Sequence, residues 1–131
     1  MKPVDQTEFM DRRSEKRGNC LMASLASILE APLDTMPVLS NANDDGTWWD
    51  LLQIACNANG YAAIYWTNGG DCPAFKPYGY HIANGPSPRG DFGHSVVALD
   101  GEIVHDPHPS RLGLRMPITS WILVYPLAQA A

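Results

Sequence analysis

The stretch at residues 18–29 constrains the fold most, because it predicts an amphipathic helix that begins at a cysteine, Cys20. Alanine, leucine and methionine dominate this stretch, and all three favour helix. Pro32 disfavours continuation, so we expect the helix to stop near Glu30. The apolar side chains recur at helical spacing and need a partner layer to cover them. They are Leu21, Leu25, Ile28 and Leu29.

The residues before Cys20 favour a sharp helix start. Asn19 is a good N-cap residue, and Gly18 lets the chain enter the turn. Cys20 would then occupy the first helical position. There the unpaired N–H groups and the positive end of the helix dipole stabilise a thiolate, which is the nucleophilic form of cysteine.

The rest of the chain changes from helix to strand. A second helix is predicted at residues 48–57, and β-prone segments follow it. Helices first and antiparallel strands second predict an α+β fold, a single domain over residues 1–131 with the first helix packed on a small sheet. The predicted strands cover residues 61–66, 78–83, 94–99, 102–106 and 121–125.

The clearest β signal is a hairpin around Asp100 and Gly101, and its register is open. In a two-residue turn, Asp106 faces away from His94. In a three-residue loop that includes Leu99, the two side chains lie directly opposite, with Cβ atoms about 5 Å apart. In the second register the carboxylate would hold the imidazole in one tautomer.

Composition excludes several classes of protein. The net charge of −5 argues against nucleic acid as a partner. No apolar run is long enough for a membrane helix, and residues 1–17 are too polar for a secretory signal. The chain has three widely spaced cysteines, which do not form a disulfide framework. We therefore expect a cytoplasmic protein without a membrane partner, while its oligomeric state stays open.

Taken together, these elements resemble the papain-like cysteine peptidases. Residues 18–20, a histidine opening an apolar strand at 94–97, and His-Asp-Pro at 105–107 are similar to the pattern of bacteriocin-leader (double-glycine) peptidases. Residues 85–90 also resemble a Gly-Pro-Ser-Pro-Arg-Gly stretch in small phage and bacterial proteins. The resemblance implies a papain-like fold and a peptide or protein tail as substrate.

The same resemblance implies a role for each motif residue. Cys20 would be the nucleophile, His94 the general base and Asp106 the group that orients the base. A glutamine upstream of the cysteine helps to form the oxyanion hole in such enzymes, and here Gln6 is the candidate. Asn19 or backbone N–H groups at the helix start are the alternatives.

Two further residues are candidates for substrate binding. Arg89, in a Pro- and Gly-containing loop, suits a carboxylate or phosphate, although an ordered surface loop explains it equally well. Trp48 and Trp49 are adjacent and cannot share one helix face. We therefore expect one of them in the core, and Trp49 is the candidate for a groove.

A zinc site is the alternative use of the polar residues near the end of the hairpin. His105, Asp106 and His108 are potential ligands, and Cys20 or His94 could complete a set. Alternation places His105 opposite Asp106, so we expect no metal and no cofactor. We expect Cys56, in the middle of the second helix, to be core.

Three functional classes fit this pattern. The first is a cysteine hydrolase acting on a peptide, isopeptide or related amide bond. The second is an acyl transferase or deamidase with the same three residues, since the acyl-enzyme is common to both. The third is a catalytically silent binding protein on the same fold.

Overall fold

The computed structural model describes residues 1–11, 13, 16–67 and 76–128. Cys72 and the rest of the predicted loop at residues 68–75 lie outside this range. Short 3₁₀ turns occupy Leu33–Thr35 and Asn41–Asp45. The helices are α1 (Cys20–Leu29) and α2 (Thr47–Ala58), and the strands are β1 (Tyr61–Thr67), β2 (Tyr80–Pro86), β3 (Gly93–Leu99), β4 (Glu102–His105) and β5 (Ser120–Pro126).

The five strands form one antiparallel sheet in the order β1-β5-β2-β3-β4. Helix α1 packs on β3 and β2, and α2 packs on β1. The predicted α+β class is therefore confirmed, with the first helix packed on the sheet. Helix α1 begins at Cys20 as predicted and ends at Glu30, whose φ of 54° breaks the helix. None of the helices in the described ranges is long and apolar enough to cross a membrane.

Apolar side chains cover both faces of the sheet. On the helical side, α1 and α2 bury their apolar faces against the strands. On the other side, Leu114 and Ile118 of the chain before β5 cover a smaller cluster. The main residues of the two clusters are Leu25, Leu52, Ile82, Val97 and Ile122, and Ala83, Val96, Ala98 and Trp121, respectively.

The β3–β4 hairpin uses the two-residue turn, yet it does not place Asp106 on the wrong face. Leu99 pairs with Glu102, and Asp100 and Gly101 both have positive φ, at 52° and 87°. A register shift follows, because Ala98 pairs with Ile103 whereas Val97 pairs with His105. The extra residue is Val104. A bulge of this kind reverses the side-chain alternation beyond it.

This reversal brings Asp106 to the side of the sheet that carries His94. The expectation that a two-residue turn separates the two side chains was therefore wrong. It assumed uninterrupted pairing from the turn to the end of the strand. The sequence of β4 contains no glycine or proline that would mark an inserted residue.

Strand β2 also differs from its predicted range, because it continues to Pro86 instead of ending at residue 83. Gly85 and Pro86 are weak strand formers, and the sequence there reads as a loop. A Cβ on Gly85 would lie 3.1 Å from the carbonyl oxygen of Pro117. This glycine therefore serves the close approach of a neighbouring segment rather than a turn.

Candidate active site

Cys20 opens α1, and the backbone before it is held by a short N-terminal segment. Asn19 is the N-cap residue as predicted, but its side chain makes no capping hydrogen bond to the helix. Its Oδ1 instead accepts hydrogen bonds from the backbone N–H groups of Thr7, at 3.0 Å, and Glu8, at 2.9 Å. Asn19 therefore fixes this segment beside the helix start and leaves the first-turn N–H groups available.

His94 and Asp106 are in direct contact in the interior. Nε2 of His94 lies 2.7 Å from Oδ1 of Asp106, and both side chains are almost fully buried. Two backbone groups also donate to the carboxylate: His108 N–H to Oδ1 at 2.9 Å and Gly113 N–H to Oδ2 at 2.7 Å. Three donors therefore fix the carboxylate, which in turn fixes the imidazole.

The thiol of Cys20 interacts with the same His94 side chain, and this interaction lowers the pKa of the thiol and raises that of the imidazole. Because Nε2 of His94 is engaged by Asp106, the ring nitrogen left for the thiol is Nδ1. The structure thus brings together the three residues that were predicted as nucleophile, base and orienting carboxylate.

Burial disfavours charge on each of these three groups, and their mutual contacts outweigh it. Burial raises the pKa of Asp106, but hydrogen bonds from His94 and two backbone N–H groups bring it down to about 2. Burial lowers the pKa of His94, but bonds to Asp106 and Cys20 raise it to about 9. Burial raises the pKa of Cys20, and the His94 contact turns the net shift downward. The arrangement favours a thiolate–imidazolium pair next to a carboxylate.

A network of hydrogen-bonded polar side chains, which the sequence did not reveal, lies next to Cys20. Ser24 Oγ donates to the carbonyl oxygen of Ser95 at 3.3 Å, and Ser95 Oγ donates to Asn84 Oδ1 at 2.6 Å. Asn84 Nδ2 in turn donates to Ser120 Oγ at 3.1 Å. Ser95 also helps to lower the pKa of Cys20. The sequence feature that could have predicted this network is Ser24, a polar residue within the apolar stretch of α1.

Gln6 lies beside the helix start despite its distance from Cys20 in the sequence. Its backbone N–H donates to the carbonyl oxygen of Pro107 at 3.0 Å, and its Nε2 donates to that of Glu8 at 2.9 Å. A Cβ on Gly18 would lie 3.2 Å from the backbone nitrogen of Met10 and 3.3 Å from the carbonyl oxygen of Glu8, so this glycine makes room for the backbone that follows Gln6. Oε1 of Gln6 is buried without a hydrogen-bond partner among the described residues.

The N-terminal arm, residues 1–8, is attached to the segment that carries Asp106. Arg111 donates to both carboxylate oxygens of Asp5, at 2.6 and 2.8 Å, and to the carbonyl oxygen of Asp106. Nε2 of His105 lies 2.9 Å from the carbonyl oxygen of Val4. One guanidinium thus links the residue before Gln6 to the backbone of Asp106.

A large open cavity of about 1900 Å³ lies over the site. Cys20, His94 and Gln6 line it, and so does Arg89. Trp49 is not among its lining residues. The ring of Trp49 instead packs edge-on against Trp48 and Tyr65, with centroids 5.6 and 5.9 Å apart, and both tryptophans are half-buried against the core.

No family model, curated protein or solved structure matches this chain. The functional argument therefore rests on the residues and their geometry.

Among the described residues, no group of three or more potential ligands is arranged to hold a metal ion. The residues considered for zinc have other partners. Nε2 of His105 contacts the arm, and Nδ1 of His108 accepts a hydrogen bond from Ser110 N–H at 3.0 Å. Cys56 is fully buried, and burial raises its pKa to about 11, which confirms it as core.

Proposed function

We propose that this protein is a cysteine hydrolase that cleaves a peptide, isopeptide or related amide bond through an acyl-enzyme. The observation that carries the proposal is the buried contact between His94 and Asp106, with the Cys20 thiol on the other side of the ring. An isolated cysteine of the core needs neither partner. The cavity over Cys20 gives an acyl group access to the thiol.

The reaction follows from the protonation states of these residues. The Cys20 thiolate attacks the carbonyl carbon, a C–S bond forms, and the carbonyl π electrons move to oxygen. The imidazolium of His94 then donates its proton to the leaving nitrogen as the C–N bond breaks. In the second half-reaction, neutral His94 takes a proton from water as the water oxygen attacks the carbonyl carbon of the acyl-enzyme. The C–S bond then breaks, which releases the carboxylic acid and regenerates the thiolate.

The oxyanion formed in each half-reaction needs hydrogen-bond donors. In this proposal the amide of Gln6 and the backbone N–H of Cys20 supply them, as the resemblance to papain-like peptidases implies. The support is the burial of Gln6 beside Gly18 and its place in the lining of the cavity. One such donor is worth about 3–4 kcal/mol in the transition state.

The open cavity suits an extended peptide or the flexible tail of a protein better than a compact small molecule. A free thiol nucleophile suits a reducing compartment such as the cytosol. An acyl transferase or deamidase uses the same residues, because an amine can replace water or the leaving group can be ammonia. A peptide library with and without an added amine acceptor separates these outcomes by product mass.

The test of the nucleophile is the pH dependence of alkylation by iodoacetamide, with the labelled cysteine identified by mass spectrometry. We expect Cys20 to react with iodoacetamide at pH values below the ordinary pKa of a thiol, since His94 stabilises the thiolate and lowers the pKa of Cys20. In His94→Ala, only Ser95 still opposes the effect of burial on the pKa of Cys20, and the rate at pH 6 should fall by about two orders of magnitude. Cys56→Ser is the matched control and should leave the profile unchanged.

Two results would contradict the proposal. One is Cys20 alkylation no faster than that of Cys56 at pH 6. The other is an unchanged low-pH rate in His94→Ala. Either result would return Cys20 to the role of an ordinary cysteine at a helix start.

A further inference from the structure

The two sides of the cavity differ in chemistry. The side formed by residues 33–39 is mainly apolar, with Leu33, Met36 and Leu39 in its lining. The side formed by residues 84–95 and 108–115 carries the guanidinium groups of Arg89 and Arg115. Cys20 opens onto the same cavity, so a bound substrate meets an apolar side and a charged side, which carries the two guanidinium groups and the carboxylate of Asp91.

Arg89 is held in place by neutral partners. Its backbone N–H donates to Oγ of the fully buried Ser87 at 3.1 Å. Its Nη1 donates to Oγ of Ser110, also at 3.1 Å. A guanidinium has five N–H donors, and a hydroxyl partner does not neutralise its charge. The side chain is therefore positioned while its charge and further donors remain for a ligand.

Two other cations of this cavity are paired with carboxylates instead. Arg17 pairs with the carboxylate of Asp44, and Lys16 pairs with that of Glu8. Arg89 also lies close to the catalytic centre, because its partner Ser110 hydrogen-bonds to His108. The His108 ring packs edge-on against that of His94, with centroids 6.3 Å apart.

We propose that Arg89 binds a carboxylate of the substrate and positions it next to the scissile bond. Arginine matches the planar geometry of a carboxylate with two parallel hydrogen bonds. This subsite rests on the proposed function, since Cys20 must be the group that attacks the bound substrate. The carboxylate belongs either to the end of a peptide or to an aspartate or glutamate side chain.

The test uses thiol-reactive probes, so that it needs no known substrate. N-Bromoacetyl-glycine and its amide differ by one terminal carboxylate, and N-bromoacetyl-glutamic acid α-amide and the glutamine analogue differ by one side-chain carboxylate. In each case the Cys20 thiolate displaces bromide as the S–C bond forms. The measured quantity is the ratio of the anionic to the neutral rate constant at pH 7 and low salt.

We expect at least one probe pair to give a ratio of about five, as for a partly exposed charged contact. In Arg89→Gln that ratio should fall to about one, whereas Arg89→Lys should keep part of it, because the charge remains without the paired geometry. Arg17→Gln is the matched control and should keep the wild-type ratio. Preference in the glycine pair identifies a terminal carboxylate, and preference in the glutamate pair identifies a side chain.

The imidazolium of His94 also attracts anions, so a wild-type preference for the anionic probe is not sufficient. The subsite is supported only if the ratio of the rate constants falls in Arg89→Gln. Equal ratios in wild type and Arg89→Gln, or a wild-type ratio near one for both pairs, would overturn the subsite and leave the hydrolase proposal intact. Failure of Cys20 to react with the neutral probes as well would overturn both.

Discussion

His94 shows how single contacts decide the chemistry of a buried residue. Burial alone would keep its imidazole neutral, and burial alone would keep the Cys20 thiol and the Asp106 carboxyl protonated. Each group becomes charged only because the next one is charged or donates to it. A loss of any one contact therefore shifts the pKa values of the others, and the three residues titrate as a unit.

Gln6 allows a test of the oxyanion donor at the level of one side chain. Replacement by leucine keeps the volume and removes the amide N–H groups. For a peptide selected from the library, we expect Gln6→Leu to lower kcat by about 100-fold with little change in KM, because the donor acts on the transition state.

Gln53 offers a matched control for that replacement. Its side chain bonds to the backbone of Ala63, at 2.6 and 3.1 Å, and thereby joins α2 to β1. Gln53→Leu should lower the melting temperature and leave kcat within about twofold. A kcat for Gln6→Leu equal to that of Gln53→Leu would exclude Gln6 from the oxyanion site.

At the residue scale, the sequence predicted which side chains lie together, and their chemical roles stay predictions. Cys20, His94 and Asp106 meet in the structure, and Gln6 and Arg89 line the same cavity. The polar support through Ser95 and Asn84 was missed, because serine and asparagine are common in loops and strands and carry no charge that marks them. The Asn19 bonds were missed because they join segments that local patterns treat separately.

Among the elements, the bulge at Val104 makes the sharpest prediction. The side chain of Val104 is 44% exposed, so its main effect is the extra backbone residue that it adds to β4. Deletion of Val104 should remove the bulge and keep His105 opposite Val97, so that Asp106 stays on the side of the sheet that carries His94. We expect the alkylation rate of Cys20 at pH 6 to stay within about twofold of the wild-type rate, since His94 keeps its partner.

Val104→Ala keeps the length of β4 and is the control for this deletion. It should retain the wild-type rate and destabilise the fold by less than about 1 kcal/mol, as is usual for exposed positions. Circular dichroism of the deletion variant checks that the sheet survives. A loss of tenfold or more in a folded deletion variant would show that the register beyond the bulge is not what positions Asp106.

The N-terminal arm depends on Arg111, which contacts both Asp5 and the backbone of Asp106. Arg111→Ala should lower kcat roughly 10- to 100-fold through misplacement of Gln6, and Arg111→Lys should restore part of the loss. The double variant Asp5→Asn/Arg111→Ala should lose less kcat, expressed as activation free energy, than the sum of the losses in the two single variants. The reason is that each single variant already breaks the same ion pair.

An ion pair outside the cavity provides the comparison for this pair. Lys76 and Glu102 are 3.7 Å apart and mostly exposed. Glu102→Gln should leave kcat unchanged, as expected for an exposed pair of little energetic weight. Additive losses for Asp5→Asn and Arg111→Ala would mean that the two residues act separately.

Element positions were predictable from the sequence where the pattern was long and regular. The two-residue turn at Asp100-Gly101 was one of two registers that the sequence left open, whereas the start of α1 and the second helix follow from local chemistry. The bulge and the extension of β2 do not, because the local pattern does not show them. The first depends on how β3 and β4 align, and the second on the approach of Pro117 to Gly85.

For the whole molecule, Asp106 predicts a dependence of stability on acid. Its pKa in the fold is about 2, below its ordinary value of 3.8. Its contribution is therefore complete above pH 4 and is lost as the pH falls toward 2, on the order of 2 kcal/mol in total. Urea unfolding of Asp106→Asn between pH 2 and 5 should lack this part of the wild-type pH dependence; identical slopes for the two proteins would contradict it.

The attachment of the arm also predicts that turnover and secondary structure are lost at different urea concentrations. The contacts of Val4 with His105 and of Asp5 with Arg111 join residues 101 and 106 positions apart. Such contacts carry the largest loop-closure entropy, and the buried surface that offsets it comes from Met1, Val4 and Gln6 while the other residues of the arm are exposed. The urea concentration that abolishes substrate turnover should therefore be lower than the one that abolishes the far-ultraviolet circular dichroism signal. The arm would then detach from the folded domain before the domain itself unfolds.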